Sequence, residues 1–291
     1  MEAQSQIADL SQKVLDIKYF PVPSSIILNL FRTIAEKNFT FEGITAIVEP
    51  DAALCAQLLK VANSAYFGLR GKVNTLEKAI MLIGVNEVRN LSLAICLVNQ
   101  FHRVSLAKGF DLKRFWIHNL LTALSAKELA KDKPFLDPDE LYLLGLLHDI
   151  GRLVMAQVMP EEFHLIHLNA KKLGVLPWDV ERAKGLTHTF WGQRLAKRWG
   201  LTEKMAHILA YHHEPLRSGI FSRECATVNI SAFIAKTLEA KAEQLPEPKM
   251  PGQKILVLAG TNLDETDLLM GKIQESYDDV EALSDIVIGH C

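Results

Sequence analysis

The sequence predicts an all-α fold, and three observations carry that prediction. Apolar residues recur at helical spacing, with hardly any two-residue alternation. Capping residues, prolines and glycines punctuate the chain where helices would begin and end. The 291 residues are 49% apolar and 23% charged, the composition of a globular chain long enough to bury a sizeable core.

Taken in order, Pro50 and Asp51 suit the first turn of a helix that Asn63, Ser64 and Gly68 end. Asn74-x-x-Glu77 reads as a capping box ahead of Lys78–Ile83, with Gly84 as the stop. Between Phe101 and Phe115 the chain turns polar and basic around Gly109 and Asp111, separating two helical blocks. Asp137-Pro138-Asp139-Glu140 then opens LYLLGLLHDIGRLV, apolar nearly all round and therefore buried. Gly200 ends a further helix and Thr202 caps the next. The segment EQLPEPKMPG, with three prolines, reads as a linker or extended surface stretch. Beyond it Ile255–Leu258 is the best strand candidate, although its spacing is equally helical. Leu263, Leu268, Leu269, Ile273, Val280 and Leu283 are expected to pack back onto the body. The expected organisation is 1–108, an amino-terminal helical bundle; 109–242, a second helical bundle; and 243–291, a linker with an acidic carboxy-terminal segment.

Charge and cysteine usage narrow the function classes. Thirty-two basic against thirty-four acidic residues leave a net charge of −2, without the electrostatic footprint of a nucleic-acid protein. A helix-turn-helix-like pair around Gly84 would expose Asn86, Arg89 and Asn90, but its second helix continues as LSLAICLV, too apolar to read a groove. Specific DNA binding is not expected. The four cysteines are scattered, as free thiols in a reducing compartment would be. The polar start MEAQSQIADL is no signal peptide, and uninterrupted apolar runs fall short of the roughly 20 residues of a bilayer span. A cytoplasmic protein without a membrane partner is the expectation.

The sharpest chemical signal is His148-Asp149. A carboxylate beside an imidazole on a buried helix needs a partner, and a metal ion would serve as one. His118 shares a face with Phe115, Thr122, Ser125 and Leu129, so it points inward; His188 shares one with Gly192, Leu195 and Trp199. His212-His213 closes a helix before Glu214 and Pro215. Each alone reads as a hydrogen-bonded core histidine rather than a ligand; several on separate helices beside His148-Asp149 point to a cluster. His102, His164, His167 and His207 read as surface or packing residues, and His290 receives no role. His213-Glu214 fails as a metalloprotease motif, because Arg217 stands four residues on and Pro215 breaks the helix.

The order His118, His148-Asp149 within LLHDIGRL, His188, His212-His213-Glu214 resembles the HD superfamily of metal-dependent phosphohydrolases. FPVPSSIILNL, with its paired Pro21 and Pro23, VEPDAALCAQLLKVANSAYFG and AIMLIGVNEVRNLSL narrow the resemblance to the HDOD family, the HD-related output domain of bacterial signalling proteins. It runs from about Phe20 to about Ala235. The resemblance implies an amino-terminal bundle docked on an HD-like bundle, with His118, His148, Asp149, His188, His212 and His213 at metal-ligand positions. It implies one or two divalent ions, Fe, Mn or Zn. The last ligand position, an aspartate in HD enzymes, falls on Ala232, and Asn229 and Ser231 nearby are poor substitutes. Asp149 and Arg152 would be the catalytic residues of an enzyme, Arg152 pairing with substrate phosphate. The GYP sequence expected after the paired histidines is replaced by HHEPLRSGIF. The resulting expectation is a signal-transduction output module with a degenerate metal site, acting through signalling proteins. The alternative is a metal-dependent phosphohydrolase acting on a nucleotide or other phosphate ester.

Overall fold

The structure, a computed structural model, describes residues 22–35, 40–69, 71–102, 105–243 and 248–288. Phe20, Pro21, His290, Cys291, part of the proline-rich segment and the side chain of His102 lie outside the described residues. Among the described residues every regular element is helical, including Gln253–Ala259 over the strand candidate.

Among the described residues, five α-helices build the amino-terminal part: α1 (Ser25–Ala35), α2 (Phe41–Val48), α3 (Ala52–Ala62), α4 (Leu76–Ile83) and α5 (Val85–His102). The apolar α5 runs through them and packs against α1, α2, α3 and α4. Asp51 caps α3 by accepting from the Leu54 N–H. At α4 the cap is Thr75, accepting from the Lys78 N–H, rather than the expected Asn74; Gly84 at φ 91° ends the helix. Arg89 and Asn90 are buried rather than exposed, so the apparent recognition helix faces inward.

The second part comprises α6 (Leu112–Ala130), α7 (Pro138–Leu147), α8 (Ile150–Val158), α9 (Pro160–Leu173), α10 (Pro177–Lys184), α11 (His188–Arg198), α12 (Glu203–Tyr211) and α13 (Ser222–Glu243). α6 lies at its centre, against α7 and α13. Pro138–Val158 is long and apolar enough to cross a bilayer, yet 83% of its most apolar window is buried inside the protein, as in a core element. Two glycines set the helix crossings. A Cβ on Gly145 would stand 2.7 Å from the Ala123 Cα, and one on Gly151 only 1.9 Å from the His188 carbonyl oxygen. The approach of α8 to α11 that places His188 therefore requires glycine at 151.

After the proline-rich segment come α14 (Gln253–Ala259), α15 (Leu263–Glu275) and α16 (Tyr277–Ile288). α14 packs on α13, α15 on α6, and α16 on α6, α3 and α5. Met270, Ile273, Val280, Leu283 and Val287 are buried there, whereas Leu263 and Leu268 are exposed, against expectation. The amino-terminal part also meets the second where Phe31 and Phe101 pack on Trp199.

Candidate metal centre

Asp137 caps α7, its carboxylate accepting from the Asp139 and Glu140 N–H groups, and the helix ends at His148. Asp149 stands at the N-cap position of α8 but makes no side-chain cap bond. Its carboxylate turns instead into a ring of histidines supplied by α6, the α7 terminus, the start of α11 and the end of α12. His188 Nε2 lies 3.0 Å from Asp149 Oδ1, His148 Nε2 and His212 Nε2 each 3.6 Å from the same oxygen, and His118 Nε2 3.9 Å from Oδ2. His213 Nε2 is 3.1 Å from His188 Nε2. The six sequence-predicted positions thus come together in one cluster, buried except for a partly buried His213.

The other ring nitrogens explain why four of the five histidines point inward. His148 Nδ1 is 2.7 Å from the Gly145 carbonyl and His212 Nδ1 3.2 Å from that of Leu209. His188 Nδ1 lies 2.5 Å from Glu181, and His118 Nδ1 3.3 Å from Glu239. An acceptor at Nδ1 places the proton there and leaves Nε2 with a lone pair. Lone pairs therefore converge on a carboxylate. Asp149 Oδ2 has the Arg152 guanidinium 3.2 Å away, yet neither Asp149 oxygen, nor His118 Nε2, has a hydrogen bond in good geometry. Buried acceptors in that state gain from a further cation placed among them.

The donor set fits such a cation. Asp149, His188, His212 and His213 can each present one ligand atom within 4.8 Å of the others, as can His118, His148 and Asp149. Imidazole nitrogen with carboxylate oxygen suits Zn, Mn or Fe, and the Glu181, Glu239 and carbonyl contacts are the outer partners that orient metal-bound histidines.

Electrostatics agree with a site made ready for positive charge. Burial opposes ionisation of Asp149, yet Arg152, His148 and His188 outweigh it and hold the carboxyl well below its usual range. Burial keeps His148 and His213 well below the ordinary imidazole range and His212 below it. His188 differs: burial disfavours its charge, but Glu181 and Asp149 prevail and raise its pKa.

Arg152 Nε lies 3.2 Å from Asp149 Oδ2, on the side of the carboxylate away from His188. His213 carries Trp178 stacked on its outer face, centroids 4.3 Å apart. Glu181 and Trp178 share α10, so that helix both orients His188 and covers His213. Glu181, Glu239 and Trp178 were not among the sequence candidates. Glu239 had one signal, a carboxylate within the largely apolar AFIAKTLEA. Glu181 and Trp178 lie in a polar helix and had none. Elsewhere, Cys225 sits 3.1 Å from Ser218 with its thiol pushed up to about 12 by burial, which excludes a ready nucleophile. Arg217 pairs with Glu214 at 3.0 Å, away from the ring.

Residues 20–215 match the HDOD domain family. This chain belongs to the HDOD domain family. A Treponema pallidum protein of uncharacterised function is 27% identical over 255 residues, which cover 84% of this chain and 48% of that relative. The chain thus spans about half the length of that relative. Among solved structures, an HDOD domain protein of unknown function from Geobacter sulfurreducens superposes with a TM-score of 0.79 at 19% identity, covering 98% of both chains. A candidate metal-dependent phosphohydrolase from Shewanella amazonensis gives 0.62 at 16% identity, over 98% of this chain and 100% of that one. These likenesses establish the HDOD fold.

Proposed function

We propose that this HDOD protein is a signal-transduction output module built around a buried metal centre, and that it acts through protein partners. The observation that carries the metal centre is the convergence of His188, His212 and His213 Nε2 on Asp149, with the opposite nitrogens of His188 and His212 held by acceptors. Two features favour an output role over turnover. The α13 position where HD enzymes place a carboxylate is Ala232, which offers no ligand atom, and the ring of His213 is stacked against Trp178.

The second reading, phosphate-ester hydrolysis, is favoured by Arg152, whose guanidinium stands beside Asp149 and could meet a phosphate oxygen. A bound divalent ion would supply an activated water and a Lewis acid. In that reading Asp149 and the histidines hold the ion, and Arg152 balances charge on the phosphoryl group.

Elemental analysis of tag-free, chelator-free protein, followed by assay against p-nitrophenyl phosphate, nucleoside phosphates and cyclic dinucleotides, separates the two. The output reading expects retained metal without turnover. Turnover that disappears both with chelator and in Asp149→Ala would replace it with the hydrolase reading.

A further inference from the structure

Away from the metal centre, the seam beneath α16 is incompletely filled. α16 lies across α6 of the second part and across α3, α5 and the Ala65–Phe67 turn of the amino-terminal part. Val280, Leu283, Ser284 and Val287 recur on it at helical spacing and are buried. Beneath them Leu91, Ile95 and Val98 of α5, with Trp116 and Leu120 of α6, form an apolar floor. A cavity of about 10 Å³ is left between floor and helix. Trp116 and Ser284 both line it, and neither Trp116 Nε1 nor Ser284 Oγ has a hydrogen-bond partner among the described residues. Polar groups buried in that state weaken the contact that holds them.

Charge at the surface holds the flank of α16. Tyr277–Ile288 carries Asp278, Asp279, Glu281 and Asp285 and no basic residue. Glu281 and Asp285 stand one turn apart and share Lys113 of α6, at 3.3 and 2.7 Å from its Nζ. All three side chains are at least 39% exposed, so solvent screens both pairs and they contribute little. The floor of the groove lies inside the family match, residues 20–215, and α16 lies outside it. An acidic amphipathic helix from beyond the matched domain therefore sits on an apolar groove of that domain, with a lysine at the rim. Its seat is neither full nor strongly latched.

We propose that α16 is a built-in occupant of this groove, and that the protein partner of the output module is a helix of the same chemistry. Such a helix is apolar at three- and four-residue spacing, acidic along one edge, and takes the groove when α16 leaves. The inference rests on the output-module reading and adds to it a docking surface, a kind of partner and the element that competes with it. Only one helix fits at a time, so the partner's apparent affinity falls by the fraction of molecules in which the groove is open.

The probes are a fluorescent peptide of residues 277–288 and its charge-reversed form carrying Glu281→Lys and Asp285→Lys. Each is titrated by anisotropy into full-length wild type and Lys113→Glu. The native peptide should prefer wild type by about 10-fold, and the reversed peptide should prefer Lys113→Glu by a similar factor. Hydrogen exchange should show α16 opening by itself, with amides on the order of 100-fold faster than those of α6. Saturating native peptide should speed α16 exchange while α5 and α6 stay protected. Ser284→Ala, which removes an unpaired buried hydroxyl, should slow α16 exchange by about 5-fold. Peptides that bind neither protein, or α16 amides that exchange only together with those of α6, would overturn the inference. A dimer in light scattering that the native peptide dissociates would make the occupant a second copy's α16 and overturn a foreign helix. None of these readouts depends on bound metal or on turnover, so failure here is distinct from failure of the output-module reading.

Discussion

The two ends of α7 carry the same residue in the same local position and use it in opposite ways. Asp137 caps α7 and spends its carboxylate on two backbone N–H groups; Asp149 occupies the N-cap position of α8 and makes no such bond. Asp51 and Asp111 behave like Asp137, each accepting from a backbone N–H three residues on. A cap of this kind contributes about 1 kcal/mol, so α8 forgoes that contribution. What Asp149 gains is a place among five histidines and beside Arg152, with its oxygens turned toward the ring. Local helix chemistry explains the first aspartate completely, whereas the second makes sense only as part of a tertiary site.

The largest expected effect tests the crossing that brings Asp149 to His188. Gly151→Val puts side-chain atoms into the His188 carbonyl and the Gly192 backbone N, which cannot move aside as a side chain would. Thermal denaturation should show a loss of about 3 kcal/mol or more, or no cooperative transition at all. Native-like melting would mean that α8 and α11 are not held this closely.

Next is the orientation of His188. Glu181→Gln keeps the volume but removes the charge that holds Nδ1–H, and loss of an outer partner of this kind lowers metal affinity about 10–100-fold. Calorimetric titration with Zn reads it directly, and an unchanged affinity would place the ion away from His188.

The pH dependence sharpens the contrast further. The raised pKa of His188 means that its proton stabilises the metal-free fold below the ordinary imidazole range, and that this contribution is lost as pH rises through the raised value. The same proton must leave before a metal binds. Added Zn or Mn should therefore raise the melting temperature more at high pH than at low pH, across the range just above the ordinary imidazole pKa. Scanning calorimetry across that range checks it; a gain independent of pH would show that His188 is not displaced.

The smallest effect belongs to the capping end. Asp137→Ala should cost about 1 kcal/mol in denaturant unfolding and leave metal binding untouched.

Much of this arrangement was legible from the chain. Histidines on apolar helix faces are conspicuous, yet His118, His188, His212 and His213 each read singly as core residues. Their number beside His148-Asp149, and the resemblance in the order of motifs, pointed to a cluster. Glu181 and Trp178 could not be picked out, because their roles depend on where α10 lies over α11 and α12, a tertiary fact with no local period. Glu239 was visible as a charge in an apolar helix, but only its approach to His118 Nδ1 at 3.3 Å says which way it faces. Errors in reading the elements were small and physical. Thr75 outcompetes Asn74 as a cap by one residue, and Leu268 falls on the outer face of α15 although its spacing suggested burial.

The most direct measurement of the central claim compares Asp149→Ala with Asp137→Ala and wild type in metal titration and melting. The account predicts that Asp149→Ala lowers Zn or Mn affinity by more than about 100-fold and that the metal-free variant also melts lower than wild type, because Arg152 and His188 lose the carboxylate beside them. Asp137→Ala should lower stability by about 1 kcal/mol with full metal binding. Undiminished metal in Asp149→Ala would contradict the account and leave the histidine ring a matter of packing.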